Sequence, residues 1–172
     1  MSGLFCRTMY QIGTKKIFSY ISPNQTTSVQ SVMIDAEMYK GIVGNQVAAF
    51  GVHGRQILGS QLQISDYFRF GGATTLRGYT ENQFIGSRVA WTNAEYRFLL
   101  ERHSYFFALF DMGFVYLPGN STNTSSTQLF RYGYGIGIRV DSPLGNIGVT
   151  TAFGKGDSFR QGKLHISLVN SF

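Results

Sequence analysis

Residues 130–141 read FRYGYGIGIRVD, in which apolar residues alternate with polar or small ones at every position. One parity, from Phe130 to Val140, carries only aromatic and aliphatic side chains, whereas the other carries two arginines, Asp141 and three glycines. A period of two predicts a β-strand. A strand of a soluble sandwich rarely presents so little besides glycine and charge to water, but the lumen of a membrane barrel accepts that mixture. We therefore interpret this strand as having a lipid-facing and a lumen-facing side.

Further segments repeat the alternation and place ionisable residues on one parity. Asp35, Glu37, Arg55, Glu95 and Asp111 all fall opposite the aromatic and aliphatic residues beside them. The segments are about ten residues long, which is the length that a tilted strand needs to cross a bilayer. The sequence predicts nine strands, of which the first two alternate most weakly. They are Gly3–Ile12, Lys16–Ser22, Val29–Lys40, Gln46–Leu58, Ser87–Leu100, Ser104–Leu117, Phe130–Asp141, Gly145–Gly154 and Lys163–Phe172.

The composition favours a membrane barrel and argues against several other classes. Charged residues make up 14% of the chain, below the roughly 25% of a soluble domain. No run approaches the roughly 18 to 20 apolar residues of a transmembrane helix, which excludes a helical membrane protein. The net charge is +6, but Lys15 and Lys16 form the only adjacent basic pair, so we expect no nucleic-acid partner. The single cysteine, Cys6, excludes an internal disulfide and a cysteine-based zinc site.

Nothing in the sequence indicates catalysis. The chain lacks a Gly-x-Ser-x-Gly elbow and a His-Glu-x-x-His motif. His53, His103 and His165 have no carboxylate or nucleophile at motif spacing, so we interpret them as structural. We expect no enzyme activity, no cofactor and no metal.

One connection, Gly59 to Gly86, is far longer than the others, and connections of that length are usually functional. It contains FGGATTLRGY at 70–79, which resembles the loop signature of the BamA-like superfamily of outer-membrane insertases and protein translocases, the bacterial surface antigen family. NAEYRF at 93–98, ALFDMGFVY at 108–116 and residues 132–154 follow in the family's order. The resemblance is good from about residue 46 to the aromatic end at Phe172 and weak before it.

The resemblance implies that loop 59–86 folds into the lumen and that its motif holds it there. The motif residues are Gly71, Gly72, Leu76, Arg77, Gly78 and Tyr79. It further implies that Arg77 lies against acidic residues of the next strands, for which Glu95 and Asp111 have the lumen-facing parity. A guanidinium can satisfy a carboxylate with two hydrogen bonds, which favours Arg over Lys at this position.

The last strand resembles the C-terminal recognition signal of bacterial outer-membrane barrels. Leu164, Ile166, Leu168 and Phe172 share one parity, which Asn170 interrupts. A lipid-facing last strand would show the same pattern, and both interpretations can hold together.

Taken with the resemblance, the sequence predicts an all-β fold: an antiparallel transmembrane β-barrel, integral to a bacterial-type outer membrane. Residues 1–172 would form the C-terminal portion of one barrel domain, about eight or nine strands of roughly 16. Because the N-terminus lacks a secretory signal, we expect that further sequence precedes Met1.

The expected function is assembly and insertion of outer-membrane barrel proteins or protein translocation across that membrane. Its partners would be outer-membrane lipids, unfolded outer-membrane or secreted proteins, and accessory assembly subunits. The alternatives are a passive transport barrel or the membrane anchor of an attached enzyme domain, and, more remotely, a soluble lipocalin-like carrier with its aromatic residues turned inward.

Overall fold

The computed structural model describes residues 2–17, 25–101, 103–119, 125–143 and 145–169. Ten strands lie in this part of the chain, and eight of them form one antiparallel sheet. The ten are β1 (Ser2–Ile17), β2 (Gln25–Gly41), β3 (Gln46–Gly59), β4 (Phe68–Phe70), β5 (Phe84–Gly86), β6 (Arg88–Leu99), β7 (Tyr105–Leu117), β8 (Thr127–Ser142), β9 (Gly145–Gly154) and β10 (Lys163–Val169). No helix in the described ranges is long and apolar enough to cross a membrane.

The large sheet follows chain order, β1-β2-β3-β6-β7-β8-β9-β10, and each strand pairs with its neighbour in the antiparallel sense. Short turns at one end join β2 to β3, β6 to β7 and β8 to β9, and we call this end the short-turn end. Among the described residues β1 and β10 do not pair, so the sheet is open between them. The all-β, antiparallel prediction is confirmed.

The first two predicted strands, Gly3–Ile12 and Lys16–Ser22, were wrong as separate elements. The structure has one strand there, paired with β2 without interruption from Ser2 opposite Lys40 to Ile17 opposite Gln25. Gly13 pairs with Val29 in this register, and a Cβ there would meet nothing within 4 Å, so no close contact requires glycine at this position. Residues 18–22 of the second prediction lie outside the described part of the chain.

The two faces of the sheet differ as the alternation predicted. In β7 the residues from Tyr105 to Val115 are buried at every second position, while those from Phe106 to Phe114 are exposed. We call the buried side, on which the long connection between β3 and β6 packs, the inner face, and the opposite side the outer face. Large apolar residues such as Phe110 and Ile136 remain 44% and 68% exposed on the outer face.

The main core lies between the long connection and the inner face. Phe70, Leu76 and Tyr79 of the connection pack with three inner-face residues, Val89, Trp91 and Val115. The connection contains a single 3-10 turn at Ile64–Asp66 and the hairpin of β4 and β5. It is therefore a folded element held by its own apolar residues.

Candidate functional site

Arg77 reaches two carboxylates on the inner face of neighbouring strands. Its Nε and Nη2 donate to the two oxygens of Asp111 on β7, each at 2.8 Å. Its Nη1 donates to Glu95 on β6, and its backbone N–H donates to Asp111 at 3.1 Å. Asp111 is 0% exposed and Arg77 is 7% exposed. A carboxylate with no access to water must be paired, and the guanidinium fork supplies that pairing in two directions at once.

A second arginine balances the charge of the cluster. Arg97 donates from Nε to the other oxygen of Glu95 at 2.8 Å. The cluster thus holds two guanidinium groups, Arg77 and Arg97, against two carboxylates, Glu95 and Asp111. It carries no net charge, which lowers the cost of burying it.

Glycines permit the close approach of the loop to the strands. Gly78 has φ of +94°, and a Cβ there would lie 2.6 Å from the backbone of Phe153 in β9. A Cβ on Gly133 of β8 would lie 1.9 Å from the carbonyl oxygen of Arg77. Gly71 and Gly72 also have positive φ, +111° and +105°, which side chains resist.

Tyr79 and Leu76 complete the docking of the motif. The Tyr79 hydroxyl donates to the carbonyl of Tyr132 in β8 and accepts from the N–H of Lys155, both at 2.9 Å. Leu76 is fully buried. Leu76 to Tyr79 thus pack against β6 to β9, whereas Gly71 and Gly72 approach residues of the loop itself.

A comparison with models of known protein families identifies the family of the chain. The chain matches the Omp85 superfamily domain over residues 2–172. It belongs to the Omp85 superfamily. No curated protein matches the chain significantly. Membership implies a transmembrane barrel in the outer membrane, so the inner face is the lumen side and the outer face the lipid side. The Omp85 superfamily is associated with insertion and translocation of outer-membrane proteins.

The last strand of this Omp85 chain presents its apolar parity to the lipid side. Leu164, Ile166 and Leu168 are 63%, 69% and 59% exposed. Phe172, the fourth residue of the expected recognition signal, lies outside the described residues. The exposed row is the surface that a lipid-facing strand needs, and its role as a signal stays a prediction.

Two contacts to the motif were not predicted from the sequence. The Gly78 N–H donates to Nε2 of His165 on β10 at 3.2 Å, and the Asn93 amide on β6 donates to the carbonyl of Thr75 at 2.9 Å. Both side chains have the lumen-facing parity, which was the only signal available. The contact of His165 ties the last strand of the Omp85 sheet directly to the loop.

A second inner-face cluster centres on Asp35. Its oxygens accept hydrogen bonds from Arg7 at 2.9 Å and from Arg55 at 2.6 Å, and Nδ1 of His53 lies 2.8 Å away. His53 stacks on Trp91 with ring centroids 4.8 Å apart. Arg7, Asp35 and His53 are direct neighbours in the register of β1, β2 and β3. Asp35 is not at motif spacing from His53, because strand register brings the two residues together.

Within the described residues no group of three or more His, Cys, Asp or Glu side chains could hold a metal ion. The contacts within both clusters are ion pairs and hydrogen bonds.

Proposed function

We propose that this Omp85 chain forms the barrel of a protein that inserts other barrel proteins into the outer membrane or moves polypeptides across it. The observation that carries the proposal is the fork of Arg77 on Asp111, extended to Glu95. This contact supports the idea that the loop is held in the lumen by ion pairs and by packing. The superfamily is associated with protein insertion and translocation.

The mechanism is physical. A strand at the end of a sheet carries unpaired backbone groups to which an incoming strand can add. In lipid each unpaired group costs several kcal/mol, so the end strands favour pairing with an incoming chain. The docked loop contacts β6 to β10 and holds the lumen side rigid while the edge pairs change.

The test is the folding rate of an unfolded outer-membrane barrel substrate in lipid vesicles that contain the full-length protein. The wild type should accelerate folding over empty vesicles. Arg77→Ala should slow it about tenfold or more, because losing hydrogen bonds to charged groups costs roughly 1.5–3 kcal/mol. Arg77→Lys should recover part of the rate, since it keeps the charge and loses the fork.

Arg69→Ala is the matched control, because Arg69 is exposed in the same loop. It should leave the rate unchanged. Wild-type vesicles that fold the substrate no faster than empty ones would contradict the proposal. Flux of small solutes through those vesicles would then favour the passive transport barrel.

A further inference from the structure

Arginine and tyrosine side chains stack along the lumen side near the short-turn end of the sheet. The guanidinium carbon of Arg97 lies 5.2 Å from the ring centroid of Tyr39 and 4.8 Å from that of Tyr105. The guanidinium carbon of Arg139 lies 5.7 Å from the Tyr105 ring. Stacking of this kind orients a guanidinium and leaves its N–H edge available for a ligand.

Arg139 has no carboxylate partner in the described structure. All nine Asp and Glu residues of the chain are described. Six of them pair with other basic groups, namely Asp35, Asp66, Glu95, Asp111, Asp141 and Asp157. Glu37 accepts from the hydroxyl of Tyr39, Glu81 accepts from the N–H of Ala73, and Glu101 is exposed in a turn. The side-chain carboxylates of the chain are therefore engaged elsewhere or turned to solvent.

The unpaired state of Arg139 is costly, because its Nε is buried and has no hydrogen-bond partner among the described residues. Arg97 does not share this condition, since it is already bonded to Glu95. A charged group with a buried Nε that no described residue satisfies, stacked beside an aromatic ring, is suited to a ligand that arrives from outside the chain.

Arg139 lines a cavity of about 440 Å³ together with Arg97, Tyr105, His103 and Asn146. Asn146 contributes a second buried polar atom, Oδ1, with no partner in the described structure. Rotation of this amide by half a turn would present its Nδ2 donor instead. The cavity thus offers a guanidinium, an adaptable amide and an aromatic wall, and it is large enough for one side chain or a chain end.

We propose that this cavity is a binding site for a carboxylate of an extended polypeptide. A planar carboxylate accepts two hydrogen bonds from one guanidinium, and the amide of Asn146 provides a third donor. The inference that the ligand is a carboxylate rests on the cavity alone. The inference that this carboxylate belongs to a polypeptide rests on the proposed function, in which polypeptides reach the lumen from outside the barrel. Both an acidic side chain and a chain terminus supply this group.

The test is protection of Arg139 from phenylglyoxal, an arginine-selective reagent, in the full-length protein in detergent micelles. Modification is read residue by residue by mass spectrometry. Arg131 is the internal control, because it lies on the same strand and parity but outside the cavity. The probes, at equal concentration, are acetylated peptides with a free carboxyl terminus, with an amidated terminus, or amidated with a central Glu, and inorganic phosphate.

At a concentration of about nine times its dissociation constant, either carboxylate peptide should slow modification of Arg139 about tenfold and leave Arg131 unchanged. The peptide that protects identifies a terminus or a side chain as the source. The neutral peptide should not protect, and Asn146→Ala should weaken protection. Equal protection of Arg131, protection by the neutral peptide, or protection by phosphate alone would overturn the proposal. None of these results depends on insertion activity, so the two proposals fail separately.

Discussion

At the residue scale, the ion pairs that hold the loop matter mainly because breaking one of them is costly. Asp111 has no exposed surface, and the side chain of Arg77 donates a hydrogen bond to each of its two carboxylate oxygens. A buried ion pair adds little compared with an apolar pair of the same shape, but removing one member leaves a charge without compensation. We therefore propose that Arg77 specifies where the loop sits more than it adds stability.

Asp66 gives the loop a pH-dependent anchor outside the membrane-spanning strands. Burial alone would raise the pKa of Asp66, but hydrogen bonds from Lys15 at 2.6 Å and from the Gln63 N–H at 2.7 Å outweigh it, so the pKa lies below the ordinary value. A carboxyl whose pKa is lowered by folding stabilises the fold above its unfolded pKa, about 3.9, and loses that contribution as pH falls through the folded value.

We therefore expect Asp66→Asn to lower the free energy of unfolding at neutral pH by on the order of 1 kcal/mol. The difference from the wild type should shrink as the pH falls below about 4. Urea unfolding in micelles across this range measures both. Glu101→Gln, at an exposed turn, should show no such difference. A constant difference at all pH values would mean that Asp66 acts through packing rather than through its charge.

At the scale of elements, the period of two was sufficient to predict most of the large sheet. It placed six strands of the large sheet within a few residues of their observed bounds, namely β2, β3, β6, β7, β8 and β9. It could not reveal β4 and β5, because three residues each, FRF and FIG, are too short to show a period. It also divided β1 between Ile12 and Lys16, where pairing with β2 continues without interruption.

The contacts of the loop were predictable only in part, for a similar reason. Parity and the motif together indicated Arg77 with Glu95 and Asp111. The approach of the Arg77 carbonyl to Gly133, and the meeting of Asp35 with Arg7 and His53, depend on register and on loop path. Strand register and loop path cannot be read from a local sequence pattern.

Phe70 connects the β4–β5 hairpin to the sheet and can be tested with the only tryptophan of the chain. Its ring lies 5.6 Å from that of Trp91 and is 1% exposed. Phe70→Ala should weaken the free energy of loop docking by roughly 3–5 kcal/mol. The fluorescence emission of Trp91 should then shift to longer wavelength, because water reaches its ring.

Phe110→Ala is the matched control, since Phe110 is 44% exposed on the lipid side. It should leave the emission of Trp91 unchanged. An unshifted spectrum in Phe70→Ala would show that the loop stays docked without this ring, and that the charge cluster alone positions it.

At the scale of the whole molecule, the sheet has two distinct surfaces. The lumen side gathers the ion pairs of Arg77 and Asp35, whereas the lipid side carries exposed aromatic and aliphatic rows on β7, β8 and β10. A soluble carrier would need the opposite arrangement, with the rows turned toward a ligand. Within the described residues β1 and β10 are the end strands of the eight-stranded sheet.

Cysteine labelling with a membrane-impermeant reagent tests this division of surfaces in the assembled barrel. Cys6 is first replaced by Ser, because it is itself exposed. Glu37→Cys and Arg131→Cys should then react through the water-filled lumen. Phe110→Cys and Ile138→Cys, on the opposite parity, should remain unreactive because lipid excludes the charged reagent and keeps the thiol from ionising. Detergent solubilisation is the control, since it should expose all four positions. Reaction of Phe110→Cys and Ile138→Cys in intact membranes, with the other two protected, would reverse the assignment and return the soluble carrier as the better interpretation.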